Sequence, residues 1–110
     1  MKETIDWDTY EDEDSFVTYQ IQKINHIHNL KVIEMFVTKE ARGKSKWDDL
    51  MSKIDEIARE QNCKSVSAQI SKSTSEFTQQ RTAHLCRLNG MEKTYEDIYQ
   101  IIYSRGLKNE

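Results

Sequence analysis

The period of the hydrophobic pattern changes once, sharply, near the middle of this chain. Residues 31–38 (KVIEMFVT) form a dense apolar run of the kind expected of a central strand. After Gly43, the residues Trp47, Leu50, Met51, Ile54, Ile57 and Ala58 fall on one face at helical spacing, with charges on the other. A strand therefore leads into the longest helix of the chain, over residues 45–62, and Asn62 supplies its C-terminal stop.

The flanking segments extend this unit on both sides. Val17, Tyr19 and Ile21 alternate with Thr18, Gln20 and Gln22, the period of a half-buried strand. Residues 26–30, with two asparagines close by, read as a hairpin turn. Residues 65–70 (SVSAQI) read as a short strand. A weaker helix is expected over residues 75–89, capped by Ser75, with Phe77, Ala83, Leu85 and Leu88 on its apolar side. Asn89 and Gly90 end it. Residues 95–103 (YEDIYQIIY) are rich in β-formers and predict one long final strand, with Tyr95, Tyr99 and Tyr103 on a common face. The order is β-β-α-β-α-β, an α/β (α+β) architecture with a small mixed sheet flanked by helices. With no proline and three glycines, the turns must rely on Asn, Ser and Asp side chains.

Three boundaries are expected: an acidic arm at residues 1–14, a domain at 15–104 and a short tail at 105–110. The arm carries seven acids against one lysine, too polar a stretch to predict more than loose docking through Ile5, Trp7 and Tyr10. An apolar share of 36% predicts a thin core. The net charge of −3 argues against a nucleic-acid partner, which needs a concentrated basic face. No apolar run approaches the roughly 18 residues of a membrane span. The opening Met1-Lys2-Glu3-Thr4 does not begin a signal peptide, so a cytoplasmic location is expected. Cys63 and Cys86 belong to no CxxC pair and are expected reduced and buried. His26 and His28 lack a third ligand at a recognisable spacing, so no metal site is expected.

One stretch carries chemistry. Val37-Thr38-Lys39-Glu40-Ala41-Arg42-Gly43-Lys44 leaves a strand and enters a helix through a basic turn. Such a junction exposes unpaired backbone N–H groups at the positive end of a helix dipole, which suits phosphate. Lys39, Arg42, Lys44 and Lys46 add charge that could reach a phosphate or pyrophosphate.

This segment resembles the acyl-CoA motif of the GNAT superfamily of acyl-CoA N-acyltransferases, commonly V-x-P-E-x-R-G-x-G-x-G/A followed by a leucine pair. Val37, Glu40, Arg42, Gly43, Lys44, Leu50 and Met51 stand at matching positions. Residues 83–91 (AHLCRLNGM) are similar to the family's second signature, a helix ending in Gly-Phe before the last strand. The resemblance covers residues 16–103. Lys39 stands where proline is usual, Ser45 replaces a glycine of the loop, and Trp47 replaces its final small residue.

The resemblance implies a GNAT-like fold and transfer of an acetyl group from acetyl-CoA to an amine of a protein or small molecule. It implies a cofactor-binding set of Phe36, Val37, Arg42, Gly43, Lys44, Ser45, Lys46 and Trp47. It places Glu34 as general base and Cys86 where the family often has an acidic tyrosine. A solvated edge glutamate and a core cysteine explain those two residues as well. The altered loop keeps a second function open, a GNAT-like binding module without catalysis, as a homodimer or part of a larger assembly.

Overall fold

In the computed structural model, which describes residues 2–107 apart from the side chains of residues 2–6, Ile24 and Lys44, the alternating pattern of residues 17–22 lies within strand β2 (Ser15–Ile24). It is the second strand. β1 (Lys2–Glu11) pairs antiparallel along it, and β3 (Ile27–Val37) lies on its other side. A short 3-10 turn, Lys39–Ala41, then leads to α1 (Lys44–Glu60), β4 (Cys63–Ser71), α2 (Glu76–Leu88), β5 (Glu92–Glu96) and β6 (Gln100–Gly106). The six strands make one sheet in the order β1-β2-β3-β4-β6-β5. Only β3 and β4 are parallel neighbours.

The crossovers β3-α1-β4 and β4-α2-β5 step the same way across the sheet, and right-handed connections then place both helices on one face. Arg105 of β6 ties them there. Its guanidinium donates to Asp55 Oδ1 of α1 at 2.7 Å and to Asn89 Oδ1, at the C-cap of α2, at 2.8 Å. Between sheet and helices lies the core: Val17, Ile21, Leu30, Val32, Val66 and Ile70 against Leu50, Met51, Ile54, Ala58, Ala83 and Cys86. The opposite face is polar. Asn29 bridges Ser65 and Ser67, accepting from the first at 2.7 Å and donating to the second at 3.0 Å. Gln20, Gln22 and Lys31 lie on that same face by register. The sheet is therefore covered by helices on one side only. Among the described residues, no helix is long and apolar enough to cross a membrane.

The structure departs from the sequence reading at both ends. Most of the acidic segment assigned to an arm is β1, an edge strand on which Asp8 and Glu11 are exposed. Tyr10 packs against the core with Lys53 Nζ 5.5 Å from its ring centre, and Tyr19 donates to Asp8 at 3.3 Å. The single final strand is a hairpin, because the Asp97 carboxylate accepts from the Tyr99 and Gln100 amides and turns the chain. The three tyrosines are thereby separated: Tyr95 is exposed on β5, Tyr99 sits in the turn, and Tyr103 is buried and bonded by Arg87. β6 continues to Gly106 and Leu107 is buried, so the tail begins later than residue 105; residues 108–110 lie outside the described residues. The observed order is β-β-β-α-β-α-β-β.

The hairpin turn expected at residues 26–30 is Asn25-His26, between β2 and β3. Both residues have positive φ, 49° and 67°, as a two-residue primed turn requires. His26 thus leaves the strand, and the His28 ring bonds the Gln61 carbonyl at 3.1 Å. α2 starts where expected, with Ser75 Oγ accepting from the Thr78 amide at 3.1 Å. Its buried face is small, however: Ala83 and Cys86 pack inward, while Phe77 and Leu88 are exposed.

Two predictions follow from this packing. Asp55→Ala should lower stability by about 2 kcal/mol, because it leaves a guanidinium that is only 9% exposed without its carboxylate, with neutral acceptors alone to bond. Replacing both partners with leucine and methionine should recover most of that loss. Urea denaturation measures both, and a loss below about 0.5 kcal/mol for Asp55→Ala would deny the bridge its role. The second concerns Cys63 and Cys86, whose thiols burial pushes up to about 11. An unfolded thiol ionises near ~8.5. Between those values the unfolded chain has released protons that the folded chain keeps, so stability falls as pH rises from about 9 to about 11. Cys86→Ala should flatten that slope; an unchanged slope would mean the thiol is not shielded.

Candidate functional site

The site is a place where a sheet opens. β3 and β4 pair from His28 and Cys63 as far as Val32 and Ala68, and no further. Both strands continue, β3 through residues 33–37 and β4 through residues 69–71. Each keeps its outer neighbour to the end, β3 with β2 at Val37–Ser15 and β4 with β6 at Ser71–Gln100. Only their shared edge parts. The cause lies one residue past the last pair. Thr18 opposes Glu34 while Tyr19 opposes Val32, so Ile33 is an extra residue on β3. A bulge of this kind bends its strand and sharpens its twist, which swings the rest of β3 away from β4.

An opened edge leaves strand N–H and C=O groups facing a gap, able to pair with an extended ligand that carries amides. The gap lies outside the carboxyl ends of parallel strands, where open α/β sheets bind ligands. α1 begins beside it. Gly43, at φ 158° and ψ 169°, is the N-cap and offers no side-chain bond. The first helical bond runs from the Trp47 amide to the Gly43 carbonyl, so the N–H groups ahead of Trp47 have no acceptor within the helix. No acid stands in that first turn to satisfy the dipole.

The predicted site residues fall into three groups. Glu34 and Phe36 lie in the parted segment on the polar face, both exposed, and Phe36 stacks on Phe16 with ring centres 5.7 Å apart. Val37, Arg42, Gly43, Ser45 and Trp47 line the loop and the first turn. The Arg42 Nε donates back to the Val37 carbonyl at 3.1 Å. Ser45 is exposed, and Trp47 is half-buried against the core, so its indole turns inward. The Lys44 side chain lies outside the described residues. The side chains of the third group, Cys86 and Lys46, are taken up by other partners. Cys86 is 0% exposed and lies in the core, which gives it no surface for a substrate and sets it aside as an acid. Lys46 is engaged by Asp12 at 2.8 Å and Asp14 at 2.7 Å, the turn between β1 and β2. That pairing holds the Asp12 carboxyl well below the usual range, Lys46 being the main cause, and raises the Lys46 ammonium.

Two features were not read from sequence. The β1–β2 turn adjoins the loop, since the Thr38 amide donates to the Asp14 carbonyl at 2.8 Å. The β5–β6 turn adjoins the end of β4, with the Lys72 amide bonded to the Tyr99 carbonyl at 2.8 Å. There, Lys72 and Lys93 hold the Glu96 carboxyl down to about 2, Lys72 chiefly. A shallow trough of about 900 Å³ runs over the polar face from this turn, past Tyr95, Gln100, Ser104 and Ser67 to Asn29. The acids at 12–14 were visible in the chain; their contact with Lys46, 32 to 34 residues away, depends on tertiary pairing.

No family model matches the sequence, and no curated protein sequence matches it either. Solved structures do. The chain superposes on the GNAT domain of PAT from S. lividans with a TM-score of 0.67 at 13% identity, covering 86% of this chain and 54% of that one. It superposes on NAA60 of Arabidopsis thaliana, solved with a bisubstrate analogue, with a TM-score of 0.64 at 9% identity, covering 84% and 64%. For a nourseothricin acetyltransferase the TM-score is 0.61 at 20% identity, covering 89% and 68%. The chain thus spans less than two thirds of the first two chains' length. By these superpositions the chain has the fold of the GNAT acetyltransferases.

Proposed function

We propose that this chain is an acetyl-CoA-dependent N-acyltransferase, using the gap between β3 and β4 as its thioester slot. The parting of those strands beside an uncapped helix N-terminus carries this reading. It joins, in one crevice, a backbone edge suited to the amides of a pantetheine arm and N–H donors suited to a pyrophosphate. Backbone N–H groups at residues 44–46 would hold the phosphates, and Phe36 and Val37 would flank the arm. The GNAT fold of the solved neighbours supports the same assignment.

In the proposed reaction, a neutral amine nitrogen attacks the thioester carbonyl carbon. The C–N bond forms, the C–S bond breaks, and coenzyme A leaves as the thiolate, which takes up, directly or through water, the proton that the nitrogen sheds on becoming an amide. A lysine-like ammonium has pKa near ~10.4, so the acceptor must lose a proton first. Glu34 stands exposed in the parted segment and is the base we assign, directly or through water. The amine acceptor, a protein or a small molecule, would approach along the trough on the face opposite the helices, beside Gln100, which pairs with Ser71 at the end of β4. Two free buried cysteines fit a reducing compartment, and we place the protein in the cytoplasm.

A second reading has an observation of its own. Lys46 is committed to carboxylates and Cys86 to the core, which favours a GNAT-like module that binds or assembles, as a homodimer or with others, without catalysis.

Ser45→Glu separates binding from folding. A carboxylate in the first turn of α1 favours the helix dipole, so thermal stability should hold or rise. Calorimetry with acetyl-CoA should show binding weakened at least ~10-fold, because the new charge competes for the N–H donors and repels phosphate. Unchanged affinity would remove the first turn from the site. In turnover assays over a panel of amines, Glu34→Gln should lower the rate by about 10²-fold or more with acetyl-CoA affinity unchanged. Tight acetyl-CoA binding with no transfer to any amine would favour the module.

A further inference from the structure

The acidic turn between β1 and β2 sits against the phosphate loop, and it occupies a cation of that loop. Lys46 Nζ lies 2.8 Å from Asp12 Oδ2 and 2.7 Å from Asp14 Oδ1, and the lysine side chain is only 19% exposed. The carboxylates are not there by accident of side-chain rotation. The Asp12 amide donates to the Ser15 carbonyl at 3.0 Å, and buried Ser15 donates through its hydroxyl to Asp12 Oδ1 at 2.8 Å. The Thr38 amide, where β3 becomes the loop, is bonded to the Asp14 carbonyl at 2.8 Å, so turn and loop are one unit. Glu13 adds a third acid to a turn lying within a screening length of the α1 N-terminus. Arg42, the other described loop cation with an assigned bond, folds onto Val37.

We propose that this turn is a built-in competitor for ligand phosphate: by holding Lys46 between Asp12 and Asp14, it sets the affinity of the slot for coenzyme A. This rests on the reading that the slot takes acyl-CoA. The ammonium has three donors, and in this arrangement carboxylates take the positions that phosphate oxygens would need. Lys46 then adds little to the hold of the backbone amides on phosphate, and the turn discriminates against highly charged ligands while leaving the uncharged arm untouched.

The test titrates coenzyme A and pantetheine, which lacks phosphate, into the wild type, Asp14→Asn, the Asp12→Asn/Asp14→Asn pair, and that pair with Lys46→Met added. Asparagine keeps an acceptor for Ser15, and Asp14, whose side chain is 43% exposed, gives a single variant that spares the turn. Coenzyme A affinity should rise modestly in Asp14→Asn and at least tenfold in the pair. Pantetheine affinity should not change, and Lys46→Met should abolish the gain. Equal coenzyme A affinity in wild type and pair would overturn the competitor role while leaving the acyl-CoA reading intact. A gain shared by pantetheine would make the turn a steric barrier instead. Failure of every variant, the pair included, to bind coenzyme A would overturn both.

Discussion

One extra residue on one strand organises the functional end of this molecule. Ile33 has no partner on β2, and from that position β3 turns away from β4. Everything proposed for the site depends on that parting. Without it, the sheet would be continuous from β1 to β5, its backbone groups paired, and the N-terminus of α1 would overlook a closed edge. The parting is held open from outside, because β2 keeps β3 as far as Val37 and β6 keeps β4 as far as Ser71. The outer strands therefore fix the width of the gap. This also explains why a strand as acidic as β1 belongs to the sheet: it backs β2, and its turn reaches the loop ahead of α1.

The layer structure follows from side-chain polarity. α1 presents Leu50, Met51, Ile54 and Ala58 to the sheet, and α2 presents the smaller Ala83 and Cys86. All of these meet one face. The other carries a hydrogen-bonded ladder through Asn29, Ser65 and Ser67, which gains more from water than from an apolar cover. A thin core suits 110 residues in which 36% are hydrophobic. Arg105 matters in such a core because it links both helices from β6, α1 through Asp55 and α2 at its C-cap.

The sequence was most legible where one face is buried. The alternation at residues 17–22 and the helical spacing from Trp47 to Ala58 both report a single apolar face, and both elements stand where those patterns put them. Legibility failed where burial gives no signal. β1 and β5 are edge strands, and β5 is exposed at every residue, so neither needs an apolar stripe. The break between β5 and β6 is made by the Asp97 carboxylate accepting from two amides, which the β-rich composition around it concealed. The loop itself was found by charge and by its place between strand and helix. Its electrostatics were not, because Lys46 gains its partners only when β1 and β2 fold beside α1. The bulge was equally hidden: Ile33 is an apolar residue in an apolar run, and only the register against β2 shows that it is surplus.

The central claim is that the parted edge of β3, together with the first turn of α1, holds acetyl-CoA. Backbone amide hydrogen exchange, measured residue by residue with and without acetyl-CoA, tests it most directly. The account predicts slowed exchange confined to residues 33–37, 44–47 and 69–71, with β1 and the Asn25-His26 turn unaffected. Exchange that is unchanged at saturating acetyl-CoA, or slowed only away from the gap, would contradict it.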